Sequence, residues 1–374
     1  MQHAYREDIE YYDERAQGLL ASAQDGTDGA VAAFARYDAP LTPDGARTVV
    51  AREHGAESWP ALQRHIAGLR DSGAPFARAY RAIEAHDVDR LATLVDEQPD
   101  LVAAQGTNGN DLLGMAGATC DERLVAVLLE RGADVTRGNA HGWTPLHQAA
   151  YSNLPLLARM LLDAGARVDV SARGDGGTPL IVALFWGNRD TAELLAEHGV
   201  QPRNLRAAAG LGRLELAEEP GAHRGFYRPH GGFPAWQPSD DPREVLDEAL
   251  AWAARNDRAD TLAELVERGA AVGADVYRGT ALAWAAACGR VAAIRQLVAL
   301  GADPDQRGTF GGPDHGDGIT ALHLAAQNGD MPTIRALLEL GADAAIRDRR
   351  HGGTPVDWAA HAGHEDARAL LAAG

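Results

Sequence analysis

One short phrase recurs along this chain: GWTPLHQAA at 142–150, GGTPLIVAL at 176–184, GITALHLAA at 318–326 and GGTPVDWAA at 352–360. Thr144 and Thr178 stand 34 residues apart, and so do Thr320 and Thr354. A period of that length constrains the fold more than any composition does. One small supersecondary unit is reused, it cannot bury its own apolar face, and neighbours must stack to share a core. The letters describe the unit. Thr is a good helix N-cap, its oxygen free to accept a first-turn N–H. Pro at the next position has a fixed φ and no donor to waste, and the paired Ala residues let helices approach closely. A second helical stretch follows and closes on Gly, which suits the left-handed C-cap. Thr144 to Gly165, Thr178 to Gly199, Thr280 to Gly301 and Thr320 to Gly341 are each 21 residues, so the helix pair keeps one length.

Weaker copies extend the array. DLLGMAG at 111–117 leads to Gly132, and EALAWAA at 248–254 matches TALAWAA at 280–286 almost letter for letter, leading to Gly269 and Gly301. Residues 76–102 read as a polar capping unit; LRAAAGLGRLELAEE at 205–219 fits a first helix and a truncated second. These motifs resemble the ankyrin repeat, with its period of about 33 and its T-P-L-H-x-A signature, over residues 75–374. The resemblance implies an all-α fold, an ankyrin-type α-solenoid of about seven to eight helix-pair repeats after an N-terminal helical segment. The expected organisation is an N-terminal helical cap (1–72), a first repeat block (73–219), a Gly/Pro/aromatic insertion (220–242) and a second block (243–374). The second block carries an enlarged finger at 307–317, because Thr280 to Thr320 is 40 residues rather than 34. In the cap, residues 4–70 read as three or four amphipathic helices with Ser58 as an N-cap before Trp59-Pro60. The phrase AREHGAESWPALQRHI there is similar to N-terminal segments of some bacterial ankyrin proteins.

Composition narrows the function. The chain has 374 residues, is 45% hydrophobic and carries a net charge of -18, which should repel phosphate backbones, so nucleic acid is not an expected partner. All 35 basic residues are Arg, which removes Schiff-base and P-loop lysine chemistry. Cys120 and Cys288 do not make a disulfide framework. The charged start MQHAYREDIEYYDER lacks an apolar signal region, and no run approaches the roughly 18 apolar residues of a membrane span. The expectation is a cytoplasmic protein with no membrane partner, no metal and no cofactor; HExxH, GxSxG, GxGxxG and CxxC are all absent from the sequence.

Individual residues divide by their place in the repeat. Trp252, Trp284 and Trp358 each stand four residues after the Thr position, where Met115 and Leu324 stand in other copies, so they are expected in the core. The resemblance makes His147 and His323 structural hydrogen-bonders between repeats. It also assigns the two positions after the Ala pair to the partner-facing inner-helix surface of a concave groove: Tyr151-Ser152, Phe185-Trp186, Arg255-Asn256 and Gln327-Asn328. Tyr151, Phe185 and Trp186 are then expected as exposed aromatic anchors, with Trp143 on the same side.

GAHRGFYRPHGGFPAWQP, residues 221–238, departs from the pattern. It holds Phe226, Tyr227, Phe233 and Trp236 where the chain average of 21 aromatics in 374 residues would give about one, so it does not read as a flexible linker. Asp241 can cap and Pro242 can open the helix that follows. The insertion and the 307–317 finger occupy equivalent junctions, and the resemblance implies that both project toward the groove. Their expected binding residues are Arg224, Tyr227, Arg228, Trp236, Arg278 and His315, with Tyr277 and Phe310 nearby. Two readings of function follow. The first is a non-catalytic interaction scaffold that binds a protein or peptide. The alternative is a pocket for a small anionic molecule held by Arg224 and Arg228, with His223 or His230 available for acid–base work.

Overall fold

A computed structural model describes residues 9–24, 28–70, 74–106, 109–139, 142–172, 177–200, 202, 204–217, 241–276, 279–310 and 317–373. The chain divides into two compact units, Met1–Pro179 and Leu180–Gly374.

The first unit begins with α1 (Ile9–Gln24), α2 (Asp28–Arg36), α3 (Pro43–Glu53) and α4 (Trp59–Arg70). These four helices have a core of their own, with Tyr12, Phe34, Val49, Val50, Leu62 and Ile66 buried together. Thr42 caps α3 through the Gly45 amide, and Ser58 Oγ accepts from Ala61 N at 3.3 Å at the start of α4. Three helix pairs follow: α5 (Pro75–Glu84) with α6 (Val88–Glu97), α7 (Leu112–Ala118) with α8 (Glu122–Glu130), and α9 (Pro145–Tyr151) with α10 (Pro155–Asp163). First helices pack on first helices, α5 on α7 and α7 on α9, while second helices pack on second helices, α6 on α8 and α8 on α10. This two-layer stacking is what the 34-residue period demands.

The second unit contains α11 (Pro179–Trp186), which straddles the division, α12 (Arg189–Glu197), α13 (Leu205–Leu211), α14 (Pro242–Arg255), α15 (Ala259–Glu267), α16 (Ala281–Ala287), α17 (Val291–Ala299), α18 (Ala321–Asn328), α19 (Met331–Glu339), α20 (Pro355–His361) and α21 (Glu365–Ala373). From α14 onward the two layers are regular: α14, α16, α18 and α20 form one, and α15, α17, α19 and α21 the other. Asp241 caps α14 through the Arg243 amide and Pro242 opens its first turn, as the sequence indicates. After α13 the expected second helix shrinks to a 3-10 turn, Leu214–Leu216. The enlarged finger has a hairpin at its base, β1 (Gly308–Thr309) against β2 (Asp317–Ile319), antiparallel with a register shift. Asp275 Oδ2 accepts from both Thr309 N and Thr309 Oγ1 at 3.0 Å, and Arg349 N donates to Asp317 O at 3.0 Å, so consecutive fingers are tied together.

The T-P-L-H phrase is explained atom by atom. Thr144 N and Thr320 N both donate to the Nδ1 of the histidine three residues on, at 3.1 Å. Nδ1 is therefore the acceptor, and Nε2 carries the proton it donates to Gly177 O in one case (3.0 Å) and Gly353 O in the other (3.1 Å). Each histidine thus binds its repeat to backbone thirty residues downstream. Burial pushes the His147 imidazole down to about 4, so it stays neutral in this role.

Candidate functional surfaces

A backbone marker fixes the register of the repeats. Each regular first helix is followed by a residue of positive φ: His86, Cys120 and Asn153 in the first unit, then Gly187, Asp257, Gly289, Gly329 and Gly363 in the second. Counting back two positions gives the partner-facing slot implied by the resemblance. It holds Glu84, Ala118 and Tyr151 in the first unit and Phe185, Arg255, Ala287, Gln327 and His361 in the second. Counting back nine gives the Thr slot.

In the first unit the slot is open. Tyr151 is half-buried and Glu84 is exposed, its Oε1 accepting from Tyr80 Oη at 2.6 Å. Trp143, at the finger end of the same repeat, lies edge-on to Tyr151 with ring centroids 6.0 Å apart and leans on the His147 ring at 5.3 Å. Its indole Nε1 donates to Gln148 Oε1 at 3.2 Å, and Gln148 Nε2 donates to Ser152 Oγ at 2.9 Å. One helix and one finger therefore present two fixed aromatic edges flanked by an amide and a hydroxyl.

In the second unit the same slot is filled at Phe185 and Arg255, whereas Ala287 and Gln327 are half-buried and His361 is exposed. Phe185 was expected to be exposed and is only 1% exposed, because side chains from three helices meet around it. The Phe185 ring lies 6.0 Å from Trp252 and 5.9 Å from Trp284, both edge-on. Arg255 occupies the partner-facing slot of α14, yet it is 2% exposed. Its guanidinium carbon sits 3.6 Å from the Trp284 ring centroid, 5.1 Å from Phe185 and 5.6 Å from Trp252. Its N–H groups donate to Phe185 O at 2.8 Å and Ala251 O at 3.2 Å. Asn256 Nδ2 bonds Leu184 O and Trp252 O, while Arg290 bonds Arg255 O and Gly187 O. Carbonyls in the last turns of α11 and α14 and just beyond them thus gain side-chain partners. Close approach needs Gly187: with φ +72, a Cβ there would stand 2.6 Å from Arg255 O.

Trp252 and Trp284 are core residues as expected, and Trp358 is half-buried with its Nε1 donating to Asp348 Oδ2 at 3.0 Å. Trp186 is half-buried against Phe185, and Phe310 packs on Trp284 at 4.9 Å. Arg224, Tyr227, Arg228, Trp236, Tyr277, Arg278, His315, His223 and His230 lie outside the described residues.

Sequence reasoning passed over two charged residues. Arg206 stands two positions after the N-cap Asn204, where Leu146, Leu282 and Leu322 stand after theirs, and it is 1% exposed. Glu248 holds the Thr slot of α14 and is 2% exposed. Arg206 Nε donates to Glu248 Oε2. Aligning the copies beneath one another shows both substitutions, Arg under Leu and Glu under Thr.

Comparison with known proteins places the chain. The model of ankyrin repeats matches residues 80–172, 113–206, 237–308 and 310–374, most of the chain, and the protein belongs to the ankyrin-repeat family. Such repeats are generally protein-interaction modules. The chain is 34% identical over 94 residues to human SMC5-SMC6 complex localization factor protein 1, covering 24% of this chain and 9% of that protein. It is 29% identical over 164 residues to ankyrin repeat and SAM domain-containing protein 6 of Rattus norvegicus, covering 42% and 18%, and 35% identical over 104 residues to human protein fem-1 homolog A, covering 28% and 15%. The chain thus spans less than a fifth of these relatives. Among solved structures, the human ASB11 ankyrin repeat domain is similar at 23% identity with a TM-score of 0.37, covering 71% of this chain and 98% of that one. Among the described residues, no helix is long and apolar enough to cross a membrane.

Proposed function

We propose that this protein is a non-catalytic interaction module of a bacterial cytoplasm whose protein partner docks on the inner-helix groove and fingers of the first unit. The supporting observation is the Trp143–Tyr151 pair, two half-buried rings 6.0 Å apart whose positions are set by Gln148, His147 and the repeat backbone. Rigid aromatic edges bring contact area at little entropic cost, the usual make-up of an interface anchor. Two repeats away along the same row stands exposed Glu84, in a chain of net charge -18. The partner segment that fits this row carries an apolar residue for the aromatic pair and a basic residue for Glu84.

The test is site-specific photocrosslinking in lysate of the source cells. A benzophenone side chain at Tyr151 should yield a discrete protein adduct that the same group at Arg159, an exposed position on α10, does not yield. Glu84→Lys should weaken the adduct. Equal adducts at Tyr151 and Arg159, or none at Tyr151, would refute the reading.

A further inference from the structure

Helix α13 breaks the rule that a repeat helix buries one face. All seven of its residues, Leu205–Leu211, are buried. A helix enclosed on every side should be apolar throughout, yet the slot held by leucine in the regular repeats is given to Arg206. Its counterpart Glu248 comes from the middle of α14, the helix against which α13 makes its most extensive packing. Removing two charges from water costs several kcal/mol per ion, which mutual attraction offsets only with good geometry and complete hydrogen bonding. Completeness is missing here: Glu248 Oε2 has Arg206, but Glu248 Oε1 is buried without a hydrogen-bond partner. Nothing in the stacking of helix pairs requires such a pair, because other copies do without it.

Among the described residues, the surrounding charges are few. Arg206 faces Glu248 from α13, and Glu244 and Arg255 act on it from α14 itself. Arg255 is already held by the carbonyls of Phe185 and Ala251 and by aromatic faces. Helix α16, packed on the other side of α14, reads ALAWAAA and brings no ionisable group. The acidic residues of α15, Asp260, Glu264 and Glu267, and Arg295 of α17 are exposed. In α12, Glu193 is engaged by Arg213 and Arg258. Among the described residues, Glu248 is therefore a buried carboxyl group with one attractive neighbour in direct contact and one oxygen unanswered.

We propose that the Arg206–Glu248 pair is a proton-operated latch between α13 and α14, firm when Glu248 is protonated and loosened when it ionises. Burial outweighs the pull of Arg206 and raises the Glu248 carboxyl to about 7. The folded state then holds a proton that the unfolded chain, with an ordinary glutamate near 4.5, releases earlier. Stability from this group is fully present below the unfolded value and is lost as pH rises toward 7. A neutral carboxyl can also donate a hydrogen bond, which an ionised one cannot.

Hydrogen exchange on the full chain, expressed as protection factors, tests this at about pH 5 and about pH 8. The α13 amides should be roughly tenfold more protected at the lower pH. Glu248→Gln should keep the higher protection at both. A second variant, Arg206→Leu with Glu248→Thr, restores the residues of the regular repeats and should also lose the pH dependence, which guards against a Gln variant that fails to fold. Helix α18 is an internal control of opposite sign: burial lowers its His323 imidazole, so its protection should fall on acidification. Wild-type α13 protection that is unchanged between the two pH values, or a pH dependence that persists in either variant, would overturn the latch.

Discussion

Tyr151 and Arg255 hold the same position in the repeat, two residues before the left-handed turn, and have opposite fates. Tyr151 stays half-buried beside Trp143 on a regular helix pair. Arg255 is enclosed by three aromatic rings, and the helix before it in sequence, α13, is buried throughout. One sequence grammar thus gives either a presented surface or an interior. The repeat guarantees only the stacking of its Leu and Ala positions. The outward slots follow whatever packs over them, and between α11 and α16 that is the chain itself.

The largest expected difference between the two regions comes from isolating a buried charge. At about pH 8, where Glu248 is ionised, Arg206→Ala leaves its charge buried without its partner and should cost about 3–5 kcal/mol, read by denaturant unfolding followed through tryptophan fluorescence. Replacing both members by Leu and Thr should be neutral or stabilising. Loss of more than about 2 kcal/mol in the double variant would show that the pair is a net stabiliser and not a costly substitution.

Next in size is the left-handed position, where the regions can be compared directly. Gly187→Ala forces a Cβ against Arg255 O and Cys288 Sγ at positive φ and should cost on the order of 2–4 kcal/mol. Asn153, in the same slot of the first unit at φ 52, already carries a side chain, so Asn153→Gly should stay within about 0.5 kcal/mol. Comparable losses in the two variants would erase the distinction.

A similar or smaller effect depends on pH. The folded value of His147 lies below the ordinary 6.5, so its contribution is present above that value and is lost as pH falls toward 4, on the order of 3 kcal/mol for a fully buried ring. His147→Gln should flatten the acid limb of the first unit's stability. Glu248 works in the opposite sense, and the two units should diverge in stability between about pH 5 and pH 7. The smallest effect concerns the native thiols: Cys120 is exposed, while burial pushes the Cys288 thiol up, so Cys120 should alkylate first without any change in stability.

Much of this was visible in the letters. The spacing from Thr to Gly located the helix pairs, Asp241-Pro242 marked the start of α14, and the histidines three after Thr were structural because their two nitrogens are both committed. The six-residue excess between Thr280 and Thr320 marked the finger based on β1 and β2. Phe185 could not be read correctly, because its burial depends on Trp252 and Trp284, residues 67 and 99 positions away that one repeat cannot see. Arg206 and Glu248 were legible only by comparing copies. Taken alone, a charged residue in a helix looks like a surface residue, and only the leucines at its slot reveal that it is inside.

The most direct test places the same probe in the same slot of both regions. In a background carrying Cys120→Ser and Cys288→Ser, Tyr151→Cys and Phe185→Cys are exposed separately to a maleimide under native conditions. An open slot at Tyr151 and a filled one at Phe185 predict that Tyr151→Cys reacts at least roughly tenfold faster, with the gap closing in denaturant. Equal native rates would mean that the slot is equally open in both regions and would contradict the account.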